Sequence, residues 1–229
     1  SHTGGLEREP RLEGAAAGPI AQWEEKILAS IPLTKLAGKS GAQYSYSNIG
    51  YGILRLAVSR PAKEPFMDLV RELVFVPAGM TSSTFVVAPP LDARLATGYD
   101  GDDHGTFDSA FPTREHAGRG YKVPNGGVYS TVAGLRRFMA LVSGALGDAV
   151  LSARSRAEVL TQQTPAGGDA YGLGFLLATD ARGNHIVSHD GAVAGYNAAI
   201  VFCVEARTGV VLLRNYGTGR TDLPKAAEH

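Results

Sequence analysis

The sequence predicts an α+β fold, and three observations carry that reading. Apolar residues recur at helical spacing through the first two-thirds of the chain. Short β-branched and aromatic runs follow one another through the last third, separated by tight turns. The two kinds of element are segregated along the chain rather than alternating, which argues against a parallel α/β sheet. On this reading residues 1–165 form a mostly helical region and residues 166–229 the antiparallel sheet portion.

Each element has its own signal. Residues 1–19 are rich in Gly, Ala and Pro and read as loop. In "IAQWEEKILASI", Ile20, Trp23, Ile27, Leu28 and Ile31 fall near helical spacing, and Pro32 ends the run. After Asn48, the residues Ile49, Ile53, Leu54, Leu56 and Ala57 mark an amphipathic helix that stops near Pro61. "EPFMDLVRELVF" places Pro65 in a first turn and Phe66, Leu69, Val70 and Leu73 on one face, and "VPAGM" breaks it. Residues 88–127 lack periodicity and read as an excursion over a site. "STVAGLRRFMALVSGAL" is a helix capped by Ser130 or Thr131, with Leu135, Phe138, Met139 and Val142 facing the core. "SARSRAEVLTQQ" is a shorter helix. The runs "YGLGFLLAT", "HIVSHDG", "YNAAIVFCVEA" and "GVVLLRN" read as strands, and their short connections favour antiparallel pairing.

Composition bounds the function. Hydrophobic residues make up 44% of the 229, enough for a substantial core. Lys+Arg and Asp+Glu are both 22, so nothing steers the chain toward nucleic acid. No apolar run approaches the roughly 18 residues of a membrane span. The single cysteine excludes an internal disulfide framework, and the apolar setting of Cys203 in "IVFCVE" predicts a buried thiol.

Three clusters could carry chemistry. In "SYSN", Ser47 or Asn48 can cap the following helix while the Tyr46 ring packs on the core. The same stretch can instead present Tyr46 as a proton-transfer group with Asn48 beside it. A phenol ionises near pH ~10 in water, so that second role needs cations close by. "SHDGAVAGYN" spells Ser188, His189 and Asp190 in order, but consecutive strand residues point to opposite faces and cannot form one relay. His189 and Gly191 can face one site together, with Gly191 letting the backbone approach a ligand and the Ala192 N–H available to an oxyanion. In "YDGDDHG", Asp100, Asp102 and His104 alternate as loop metal ligands do, yet no glutamate closes a calcium loop of ordinary length, and a solvated turn is the expectation. No metal and no cofactor is expected.

Taken in order, "SHTGGL", "YSYSNIGYGIL", "VFVPAGMTSSTF", "VPNGGVYSTVAGLRRFM", "HDGAVAGYNAAIVF" and "VVLLRN" resemble the serine β-lactamase-related superfamily across nearly the whole chain. Class C β-lactamases, D,D-carboxypeptidases, D-aminopeptidases and β-lactamase-like esterases are its nearest members. The resemblance implies a β-lactamase/transpeptidase-like fold, with an antiparallel sheet flanked by helices beside a mostly helical region. It also implies three motifs: a Ser-x-x-Lys, a Tyr-x-Asn and a Lys-Thr-Gly or His-x-Gly. Tyr46 and Asn48 match the second, and His189 and Gly191 the third. By this likeness Tyr46 relays a proton and Asn48 orients substrate. His189 polarises Tyr46 and binds a substrate carboxylate, and the Ala192 N–H forms half an oxyanion hole.

The 229 residues contain no Ser-x-x-Lys. The resemblance places that motif, with the early strands of the fold, before residue 1. The chain therefore reads as a fragment of a serine hydrolase that works through an acyl-enzyme on an ester, amide or β-lactam-type substrate. By itself it is expected to be inactive and to have an unpaired sheet edge. Its expected partners are a small-molecule or peptide substrate and a missing N-terminal segment of the same protein. Relatives are often periplasmic or secreted. The competing reading is a noncatalytic member that keeps the fold as a binding or sensing module.

Overall fold

The computed structural model describes residues 1–101, 107–110, 122–166, 168–193, 195–217 and 221–227. The fold is α+β, as expected. A 3-10 turn, Ile20–Gln22, leads into α1 (Trp23–Ser30), which ends in a second 3-10 turn at Ile31–Leu33. Helix α2 (Asn48–Ala62) starts on Ser47, whose hydroxyl accepts a hydrogen bond from the Gly50 N–H at 3.0 Å. Ser47 is therefore the cap. Pro61 lies one residue before the end, so the N–H it lacks leaves the Ala57 carbonyl without its usual donor only where the helix is about to stop.

The next helical stretch runs further than the sequence suggests. Helix α3 (Phe66–Val70) widens into a π turn over Arg71–Phe75 and continues as α4 (Val76–Ala78). Pro77 has no N–H and its ring crowds the carbonyl of Leu73, so the helix passes the proline by widening rather than by stopping. Gly79, at φ 70°, then ends it. Between residues 88 and 127 lie a 3-10 turn at Asp92–Arg94, a small ladder of β1 (Asp100–Gly101) with β2 (Phe107–Asp108), and a short helix α5 (Val123–Gly126) in the "VPNGG" stretch. Helix α6 (Val132–Val142) is capped by Thr131 and α7 (Ala153–Val159) by Ser152.

Four strands form an antiparallel meander in the order β3 (Leu176–Thr179), β4 (His185–Val193), β5 (Tyr196–Cys203) and β6 (Thr208–Arg214). Residues 171–175, expected as strand, form a turn instead, because Gly174 takes φ 100°. A short helix α8 (Leu223–Ala227) packs on β4, β5 and β6. Among the described strands, β3 and β6 each have one neighbour.

Apolar packing links the helices to the sheet. Ile27 of α1 and Ile49 of α2 are fully buried, and the helices meet closely at Gly52, where an added Cβ would lie 2.3 Å from the Ile27 Cδ1. Helix α6 divides its apolar residues: Leu141 joins Phe75 and Phe85, whereas Met139 and Val142 meet Val187 and Phe202 of the sheet. Burying each such side chain contributes about 1.5–3 kcal/mol. The period of two in β5 also decides Cys203. Phe202 turns to the core, so Cys203 faces the other way and is only half-buried, not buried as its apolar neighbours suggest.

The 171–175 turn is pinned by its backbone. Gln163 N–H donates to the Tyr171 carbonyl at 2.9 Å and Leu173 N–H to the Val159 carbonyl at 2.9 Å. A Cβ on Gly172 would sit 2.3 Å from the Val159 oxygen. Backbone cannot yield as a side-chain tip can, so Gly172→Ala is expected to cost about 1–3 kcal/mol. Urea denaturation should show a lower midpoint with an unchanged slope.

Candidate active site

The start of α2 is fastened to the first residues of the chain. Ser47 donates its N–H to His2 Nδ1 at 3.0 Å and its hydroxyl to the Glu7 carbonyl at 2.8 Å. Asn48 donates its N–H to the Arg8 carbonyl at 2.8 Å and its side-chain amide to Glu9 at 2.5 Å. Its own carbonyl accepts from the Asn125 amide at 3.0 Å, and the Asn125 oxygen accepts from the Arg55 guanidinium. These contacts leave the Tyr46 side chain half-buried, stacked on the His2 ring with centroids 4.1 Å apart. The Arg8 guanidinium lies 5.0 Å from the Tyr46 ring centre, within cation–π range.

A knot of aromatic rings backs this motif. Tyr171 is 2% exposed and packs edge-on against His2, with Tyr44 tilted beside it. Burial pushes the Tyr171 phenol far above its ordinary range, and raises Tyr51 and Tyr44 as well. Burial is also the main reason the His2 imidazole is lowered, with the nearby His189 adding to it. His2 is therefore neutral at pH 7, as its role of accepting the Ser47 N–H requires. Burial lowers Arg55 to about 10, against the opposing influence of Tyr51 and Tyr46. It remains a cation at neutral pH.

Strand β4 supplies the opposite wall. Val187 is 1% exposed in the core, and on its side of the sheet the alternation carries next His189 and then Gly191. Both line a cleft of about 1190 Å³ together with Ala192, Tyr46 and Asn48. All five residues singled out from the sequence thus border one space. The His189 ring is engaged at both nitrogens: Nδ1 lies 2.8 Å from the Asp190 carbonyl oxygen and Nε2 lies 3.0 Å from the Tyr171 hydroxyl. The hydroxyl that His189 meets is thus that of Tyr171, where the family likeness implied Tyr46. The Asp190 group it meets is the backbone carbonyl, which agrees with the rejection of Ser188, His189 and Asp190 as a relay.

Sequence reasoning did not nominate His2, Tyr171, Arg55 or Asn125. His2 stood in "SHTGGL" and Tyr171 opened "YGLGF", but neither stretch signals a partner. A buried phenol demands a hydrogen-bond partner, and only packing chooses it. Of the alternating loop, Asp102 and His104 lie outside the described residues, and Asp100 forms part of β1. Among the described residues no group of three His, Cys, Asp or Glu side chains could hold a metal, and no helix is long and apolar enough to cross a membrane.

The start of α2, with Tyr46 and Asn48, and strand β4, with His189 and Gly191, thus wall one cleft beside an antiparallel meander. The chain belongs to the Beta-lactamase family, which it matches over residues 1–229. It is 25% identical over 246 residues to the D-alanyl-D-alanine-carboxypeptidase/endopeptidase AmpH of Escherichia coli (strain K12), covering 97% of this chain and 61% of AmpH. It is 24% identical to a D-aminopeptidase of Cereibacter sphaeroides, covering 90% of this chain and 38% of that protein. Its backbone resembles the crystal structure of a β-lactamase/D-alanine carboxypeptidase from Yersinia pestis complexed with citrate. That likeness has a TM-score of 0.72 at 22% identity, over 100% of this chain and 65% of the other. The chain spans from about half to three-fifths of the length of the first curated relatives it matches.

Proposed function

We propose that this chain forms the Tyr-x-Asn and His-x-Gly walls of a serine-hydrolase active site that works through an acyl-enzyme on an ester, amide or β-lactam-type substrate. The observation that carries the reading is the convergence of Tyr46, Asn48, His189, Gly191 and Ala192 on one cleft. Tyr46 passes the proton between nucleophile, leaving group and water. Asn48 orients the substrate, and the Ala192 N–H faces the developing oxyanion. His189, as the family likeness implies, binds an anionic group of the substrate. The charges around the cleft favour such a substrate. Among the described lining residues, the cations Arg8, Arg94, Lys122 and Arg214 face the carboxylates Glu9 and Asp190.

The nucleophile is placed outside these 229 residues. Two serines that line the cleft, Ser82 and Ser130, lack the pairing a nucleophile needs. The Ser130 hydroxyl is 2.8 Å from that of Ser83, and Ser82 accepts from Arg94, which cannot serve as a base. The domain division follows the same lines, with 1–165 carrying Tyr46 and 166–229 carrying His189.

A fluorophosphonate probe tests the reading directly. The full-length protein should be labelled on a serine followed three residues later by lysine. Absence of labelling with both fluorophosphonate and penicillin would favour the noncatalytic binding module, for which the missing Ser-x-x-Lys is the motivating observation. In the active protein, His189→Ala should lower kcat/KM for a carboxylate-bearing substrate roughly tenfold more than for a neutral ester, the scale of one hydrogen bond to a charged group. Equal losses on both substrates would remove His189 from carboxylate binding.

A further inference from the structure

Asn125 joins two walls of the cleft. Its side-chain oxygen accepts a hydrogen bond from the Arg55 guanidinium of α2, and its side-chain N–H donates to the Asn48 carbonyl at 3.0 Å. A guanidinium can only donate and a carbonyl can only accept, so a single orientation of the amide satisfies both. Arg55 is itself held in place. Its guanidinium lies 5.4 Å from the ring centres of Tyr51 and Phe66, and among the described residues no carboxylate pairs with it.

The stretch that follows Asn125 is a wall of the cleft. Gly126, Gly127 and Val128 line it, and a Cβ on Gly126 would come 4.0 Å from Val193 Cγ1 at the end of β4. Gly126 and Gly127 give this wall little stiffness of its own. Its far end is fixed at Tyr129, whose N–H donates to the Thr84 carbonyl at 2.8 Å and whose carbonyl accepts from the Thr84 N–H at 3.0 Å. Its near end is fixed by the Asn125 amide. We propose that Asn125 is a positioning residue that holds this wall against the start of α2 and so sets how a substrate fits beside Tyr46 and Asn48. This rests on the reading of that cleft as the active site.

The two bonds of the amide act differently. The bond from Arg55 gives a cation its acceptor and bears on stability. The bond to the Asn48 carbonyl runs from the wall to the Tyr-x-Asn motif and bears on the site. Asn125→Asp keeps an acceptor for Arg55 but has no donor for Asn48, whereas Asn125→Ala loses both.

Comparison of these two variants in the full-length protein tests the proposal. Each should lower kcat/KM about fivefold, the scale of one neutral hydrogen bond, through a raised KM with kcat changed by less than about twofold. Asn125→Ala should also unfold at a lower denaturant concentration than Asn125→Asp. A purely structural role would lower kcat with the folded fraction, leave KM alone and spare Asn125→Asp. A wild-type KM in Asn125→Asp therefore overturns the proposal. So does a raised KM in Asn125→Asp with none in Asn125→Ala, which would trace the effect to cancelling the Arg55 charge. Should Asn125→Ala fail to fold, the KM of Asn125→Asp decides. Proton exchange gives a readout without turnover. The Asn125 side-chain amide protons, identified by their loss in Asn125→Asp, should exchange with solvent at least about fivefold more slowly than those of a free asparagine amide. Exchange at the free rate overturns the proposal as well. Slow exchange in a protein that takes no acylating probe would refute the hydrolase reading and leave the tie between this wall and α2 standing.

Discussion

Tyr46→Phe is expected to reduce turnover of the full-length protein by roughly 10²–10⁴-fold, the usual contribution of a positioned acid–base group. The fold should be untouched. The variant keeps the ring that stacks on His2 and lies under Arg8, and it removes a single oxygen. The Ser47 cap and the Asn48 contacts that start α2 use backbone and neighbouring side chains, none of them the Tyr46 hydroxyl. Steady-state hydrolysis and the rate of fluorophosphonate labelling should fall together, while the thermal midpoint stays within a degree or two of wild type. Retention of near wild-type turnover would show that the proton moves by another route.

The second large effect is on stability. Phe202 is 3% exposed and packs with Phe175, Met139 and Val187 where α6 meets the sheet. Its ring stands edge-on to Phe175 with centroids 6.2 Å apart. Phe202→Ala removes that ring from a site that cannot collapse around the loss, since β4 and β6 flank it on both sides. The expected cost is about 3–5 kcal/mol, a large part of the stability of an ordinary domain. Denaturant titration should show it as a lowered midpoint with an unchanged slope. Because Val187 pairs with Phe202 and lies two residues before His189, the same variant should disturb the His189 nitrogen signals before global unfolding. A variant as stable as wild type would mean that this core is not what holds β4.

The two predictions use different kinds of information. Strands β4 and β5 were legible from the runs "HIVSHDG" and "YNAAIVFCVEA" and their short connections, together with the alternation of faces that any strand imposes. The same alternation put His189 and Gly191 on one face and excluded the consecutive Ser188, His189 and Asp190 as a relay. Ser47 was legible as a cap because capping involves residues within one turn. Local pattern failed where packing overrode it. The 171–175 run has strand composition but is held as a turn by Gly174 and by bonds to residues 159 and 163. The helix over Phe66–Ala78 passes its proline through a π turn. Cys203 has apolar neighbours in sequence and half-open surroundings in space.

What the sequence by itself determined is the main helices, their segregation from an antiparallel meander, and the two motifs that match the family likeness. These follow from spacing within a few residues, where the 3.6 and 2.0 periods of helix and strand act directly. The tertiary structure alone decided that Tyr46 and His189 border one cleft, that His2 lies flat on Tyr46, and that the hydroxyl meeting His189 belongs to Tyr171. Those pairings join parts of the chain far apart in sequence. They are chosen by burial, because a phenol taken out of water must find a partner among whatever groups the core brings beside it.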